Sequence, residues 1–110
     1  MAIIDEVLLE EYERSLRISR ALENENRDLP KGSIQKKKIN NNEYYYLMYR
    51  DQGKVISQYV AEADVDELAR QIALRKENQK VLKEQEQSRK KIVKALEEAG
   101  CKPKIIRANL

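Results

Sequence analysis

The residues best suited to chemistry are cations and tyrosines that fall close together: Lys31, the run Lys36-Lys37-Lys38, Tyr44-Tyr45-Tyr46, Tyr49, Arg50 and Lys54. Ammonium and guanidinium groups held on a rigid platform can contact phosphates, and exposed aromatic rings can stack on bases or pack in a groove. We take Lys31, Lys36, Lys37, Lys38, Tyr44, Tyr46, Arg50 and Lys54 as the candidate nucleic-acid-binding set. Each has a plainer use beside it. Tyrosines suit strands and can pack under helices with their hydroxyls at the rim, and lysines on an edge strand block strand-to-strand aggregation.

No comparable arrangement points to catalysis. The 110 residues contain no His, Phe or Trp, a single Cys and three Gly. This composition excludes histidine acid–base chemistry, His-containing zinc sites and an internal disulfide. A nucleophilic Ser or Cys would need a Lys base, and no glycine-rich turn is present to position one or to cradle a phosphate. Glu97-Glu98 and Asp64 with Glu67 read as solvated helix-end carboxylates, not a divalent-ion site. Cys101 reads as an incidental thiol of a reducing compartment. The expectation is a protein that is not an enzyme and holds no cofactor or metal.

No run of 18 apolar residues occurs, so no spanning helix is expected. The start Met1-Ala2-Ile3-Ile4-Asp5-Glu6 lacks the basic and then apolar pattern of a secretory signal, and a cytoplasmic location is expected. The net charge is +3 but unevenly spread. Residues 1–30 carry four basic and eight acidic groups, residues 31–60 six and two, residues 61–100 nine of each, and residues 101–110 three basic groups alone. The acidic first segment can attract the basic second one, or leave it free for an anionic partner.

Three elements must hold these residues. From Ile3 to Asn26, Ile4, Val7, Leu8, Tyr12, Ser15, Leu16, Ser19 and Leu22 recur at helical steps, and Glu10/Arg14 and Glu13/Arg17 are i, i+4 pairs contributing ~0.3 kcal/mol each. Pro30 and Gly32 end this helix. From Ser33 to Val60 the period changes to that of strands: Ser33 to Ile39, Tyr44 to Tyr49 and Lys54 to Val60, separated by Asn40-Asn41-Asn42 and Asp51-Gln52-Gly53. A three-residue second loop pairs Arg50 with Lys54, Tyr49 with Val55, Leu47 with Ser57 and Tyr45 with Tyr59. The other face then holds Tyr44, Tyr46, Met48, Ile56, Gln58 and Val60, and something must cover or use it.

From about Asp64 to Ala99 the pattern is one long helix, with Gly100 at its C′ position and Pro103 beyond. Its expected seam is Val65, Leu68, Ile72, Arg75, Gln79, Leu82, Glu86, Arg89, Val93 and Leu96, apolar at both ends and polar in the middle. That pattern is unlike a strict leucine zipper and admits a break between Asn78 and Gln87. The basic tail from Cys101 to Leu110 reads as an edge strand, a docking peptide or a disordered end.

Leu29-Pro30-Lys31-Gly32-Ser33, Lys36-Lys37-Lys38, Tyr44-Tyr45-Tyr46-Leu47, Tyr49-Arg50, Gly53-Lys54-Val55 and Tyr59-Val60 resemble a family of short uncharacterised prokaryotic proteins with a tyrosine-rich hairpin between helices. The same segment is similar, more loosely, to the arm-DNA-binding domain of phage-type tyrosine recombinases, whose three-stranded sheet enters the major groove. The resemblance covers residues 29–60. It implies a DNA-facing sheet through Lys36, Lys38, Tyr44, Tyr46 and Arg50, with no recombinase activity, and a place among mobile-element proteins.

The expected architecture is α+β in a single domain: helix (1–28), three-stranded antiparallel β-meander (29–62), long and partly coiled-coil-like helix (63–100) and basic tail (101–110). The first functional expectation is a non-enzymatic nucleic-acid-binding accessory protein, for DNA or RNA. The second is a protein-binding inhibitor or adaptor from a mobile element, of anti-defence or antitoxin type, favoured by the acidic Glu6, Glu10, Glu11 and Glu13. The third is a coiled-coil module that forms homo-oligomers through its helices. None involves a membrane.

Overall fold

The computed structural model describes residues 3–100, with side chains from residue 5 onward. The expectations placed on Ile4, Cys101 and the tail lie outside the described side chains. The elements run α1 (Ile3–Arg27), β1 (Ser33–Ile39), β2 (Asn42–Asp51), β3 (Lys54–Val60), a one-turn 3₁₀ helix (Glu62–Asp64) and α2 (Val65–Glu98). This is the expected α+β order of helix, three-stranded antiparallel sheet and long helix. The contacts divide the chain into two units, residues 1–24 with 79–110, and residues 25–78.

In the first unit, the early turns of α1 pack against the late turns of α2. Tyr12, Val93 and Leu96 form the buried core, flanked by Leu8, Leu9, Leu16 and Ile92. Tyr12 and Leu96 are the largest side chains wholly removed from solvent. Val7, expected on the buried stripe, is half exposed. It lies five positions before Tyr12, which is ~140° around the helix, whereas Leu8 and Leu9 stand four and three positions away on the same side as Tyr12. On the outer face of α1, Arg14 pairs with Glu11 at 3.8 Å.

The middle of this helix pair is polar and hydrogen-bonded. Ser15 Oγ donates to Gln85 Oε1 at 2.7 Å, and one Arg89 nitrogen donates to Ser15 Oγ at 3.0 Å and to Ser19 Oγ at 2.7 Å. Two small serines on α1 leave room for the long arginine of α2, so Arg89 sits on the seam where the spacing placed it. Glu86 does not; Gln85 takes the inward position instead, drawn there by its bond to Ser15.

The second unit is built on the sheet, ordered β1-β2-β3 with β2 central. Both connections are two-residue turns. Asn40 and Asn41 have φ of 52° and 66°, and Gln52 and Gly53 have φ of 49° and 78°, the paired left-handed residues that match a turn to the twist of its strands. The second turn corrects the expected register. Asp51 pairs with Lys54, Arg50 with Val55, Tyr49 with Ile56, Leu47 with Gln58 and Tyr46 with Tyr59. Gln52 enters the left-handed region as well as Gly53, so the loop is one residue shorter than expected. Every β3 side chain therefore moves to the opposite face.

One face of the sheet packs on α2. Leu47, Val60 and Ile72 are its buried centre, with Ile34, Tyr45, Tyr49, Val65 and Leu68 around them. Arg75 donates from one nitrogen to the backbone oxygens of Asn26 and, at 2.8 Å, Leu29. It thereby ties the end of α1 and the segment that follows it to α2. Asn78, not the expected Gln79, completes the seam: its Nδ2 donates to Glu25 Oε1 at 2.6 Å and to Asn26 Oδ1 at 2.9 Å. The break considered between Asn78 and Gln87 is absent, since α2 is uninterrupted from Val65 to Glu98. Lys, Glu, Gln and Arg, which fill that stretch, are good helix formers.

Candidate nucleic-acid interface

Strand alternation sorts the candidate residues onto two faces. Away from α2 the sheet shows Lys37 and Ile39 of β1, Tyr44, Tyr46, Met48 and Arg50 of β2, and Val55 and Tyr59 of β3. Ile39, Val55 and Tyr59 are well exposed, at 45%, 59% and 59%, while Tyr44, Tyr46 and Met48 are half-buried among their neighbours. The second sheet face, which the sequence required to be covered or used, is thus an open surface of rings and cations among the described residues.

The three rings support one another. Tyr59 stands edge-on to Tyr44 and Tyr46, with centroids 6.4 Å and 6.0 Å away and interplanar angles of 61° and 74°, a favoured geometry for aromatic pairs. Lys37 lies over the Tyr46 ring, 4.8 Å from its centroid, close enough for cation–π attraction. Arg50 reaches solvent at the Asp51 end of the same strand.

The remaining candidates are elsewhere. Lys36, Lys38 and Lys54 alternate onto the face that carries Tyr45 and Leu47. Lys36 is engaged there: its Nζ lies 2.8 Å from Glu43 Oε2 and 5.7 Å from the Tyr45 ring centroid. The hydrogen bond that Lys36 donates to Glu43, then the charges of Glu43 and Tyr45, hold the Lys36 ammonium above its usual pKa of 10.5. Lys31 lies before β1, beside a shallow depression of about 390 Å³ lined also by Arg27, Leu29, Tyr49, Gln58 and Arg75. The lysine run therefore splits by alternation and places cations on both faces of the sheet, with Lys36 and Lys38 on the face opposite Tyr44, Tyr46 and Arg50.

Tyr59 is the ring that the sequence reading left out. The displaced register had put it on the face of Tyr45 and Leu47; the signal that finds it is the tolerance of the Gln52-Gly53 pair for a two-residue turn. Gly32 fixes the approach to the sheet. It has φ of 117°, and a Cβ on it would collide with the Met48 carbonyl oxygen, so the chain can lie against β2 at this point only with glycine.

No described helix is long and apolar enough to cross a membrane. Among the described residues no group of three or more metal-binding side chains is found. Residues 8–70 match a family described as a domain of unknown function, DUF6788. The matched span takes in most of α1, the whole sheet and the first turns of α2. No curated protein and no solved structure matches the chain.

Proposed function

This chain belongs to the DUF6788 family, of unknown function, and we propose that it is a non-enzymatic, cytoplasmic nucleic-acid-binding accessory protein whose ligand lies on the open face of the sheet. The observation that carries this reading is the common placement of Lys37 and Arg50 with Tyr44, Tyr46 and the well-exposed Tyr59 on one face of the sheet. Cations supply phosphate contacts and rings supply contacts to bases, which is the pairing that nucleic-acid binding requires.

The test is fluorescence-anisotropy binding of labelled DNA and RNA oligonucleotides at low and high salt. Lys37→Glu and Arg50→Glu are the open-face variants, and Lys38→Glu is the control on the other face. Binding that weakens with salt and is lost in the first two variants while surviving in the third supports the reading; no binding at low salt overturns it.

A second reading has its own observation. Glu6, Glu10, Glu11 and Glu13 are all exposed on α1, and such a row repels nucleic acid while suiting a basic protein surface. On that reading the chain is an inhibitor or adaptor of mobile-element origin. A nuclease-treated pull-down that returns one stoichiometric protein, lost on reversal of these charges, would favour it.

A further inference from the structure

We infer that the open sheet face takes single-stranded nucleic acid, with bases stacked on Tyr59 and Tyr44, and that it does not take a duplex. This inference rests on the nucleic-acid reading above and specifies its ligand. The rings dominate the surface: three tyrosines stand beside only two cations, Lys37 and Arg50, among the described residues of that face. One of the two cations is held over the Tyr46 ring. A duplex is bound chiefly through many phosphate contacts and read by polar side chains at base edges in its grooves. This face offers only Lys37 and Arg50 for phosphate contacts among its described residues. Base planes inside a duplex are covered by their neighbours, so a tyrosine ring meets them only when the strand is single.

Tyr44 and Tyr46 are two residues apart on β2, ~6.7 Å along the strand. Tyr59 fills the position beside both rings across the β2–β3 ladder and, at 59% exposure, leaves ring surface for a base.

The charge makes the inference quantitative. Two phosphate contacts on a single strand give a salt slope of roughly −1.4, so affinity falls only about sevenfold between about 50 and 200 mM salt. Loss of one stacking ring weakens binding about tenfold or more. The experiment measures anisotropy of fluorescein-labelled oligo-dT and oligo-U of about twelve nucleotides and of a duplex of equal length, with the wild type, Tyr59→Phe and Tyr59→Leu. Tyr59 is exposed, so neither substitution threatens the core.

The expected result is tighter binding of a single strand than of the duplex by about tenfold or more, a shallow salt slope, affinity within about twofold of wild type for Tyr59→Phe, and a loss of about tenfold for Tyr59→Leu. Equal or tighter duplex binding overturns the single-strand inference and leaves the nucleic-acid reading standing, as does binding that Tyr59→Leu leaves unchanged while Lys37→Glu abolishes it. Absence of binding to any of the three probes at low salt overturns both.

Discussion

Lys37 lies 4.8 Å from the centre of the Tyr46 ring, on the face of the sheet away from α2. Its neighbour Lys36, one step along the same strand, is on the other face with its ammonium 2.8 Å from Glu43. Two identical residues therefore have different partners, an aromatic ring and a carboxylate, and should behave differently in solution.

Side-chain NMR titration tests the Lys36 pair. The midpoint of Lys36 is expected above 10.5, and Glu43→Gln should lower it, because Glu43 is the main cause of the shift. Since the folded value is raised, the contribution of this pair to stability is fully present below the unfolded pKa. It is lost as pH rises through the folded one. A Lys36 midpoint unchanged by Glu43→Gln would show that the pair does not form.

Asn78 is buried, with Glu25 and Asn26 as its hydrogen-bond partners. Asn78→Leu leaves the buried Asn26 Oδ1 without its donor and should cost about 1–3 kcal/mol, read as a lower urea midpoint. Asn78→Asp should cost more at neutral pH than at pH 4, because it sets a second carboxylate against Glu25. Equal losses at the two pH values would contradict the geometry.

Arg89 donates to the hydroxyls of Ser15 and Ser19 across the helix pair of the first unit. Arg89→Met keeps much of the stem but removes the donors, and the expected loss is about 1–3 kcal/mol. A double-mutant cycle with Ser19→Ala checks the assignment. The two losses should be less than additive, since both remove the same bond.

The glycines of the second unit differ in what surrounds them. Gly32→Ala combines a positive φ with a collision against Met48 and should destabilise by more than ~2 kcal/mol. Gly53→Ala meets open space and should cost only ~1 kcal/mol for its left-handed backbone. Thermal unfolding of the two variants side by side is the measurement.

The helices and strands were legible because their periods are: Tyr12, Leu16 and Ser19 mark one face of α1, and the β-branched and aromatic runs mark the strands to within two residues. The seam of α2 was legible where it is apolar, at Val65, Leu68, Ile72, Val93 and Leu96, and at both arginines. At Asn78 and Gln85 it was not, since a polar residue turns inward only when a partner on another element awaits it, and Glu25, Asn26 and Ser15 are remote in sequence. The candidate surface was half legible. Tyr44, Tyr46 and Arg50 follow from β2 alone, whereas Tyr59 depends on whether Gln52 adopts positive φ, a choice worth about 1–2 kcal/mol for a non-glycine residue and invisible to composition.

The two tight turns also set the order in which the second unit can assemble. Each hairpin closes over two residues, so β1-β2-β3 pairing needs no long chain segment to be brought together and can proceed on the ~1–10 μs scale of hairpins. Arg75 reaches Asn26 and Leu29 only by closing 49 and 46 residues of chain, an entropic cost that grows with loop length. The meander is then a nucleus formed from neighbours, and docking of α2 through Ile72 and Arg75 is the later event. Kinetic φ-values should accordingly be higher for substitutions in the β2–β3 ladder than at Ile72.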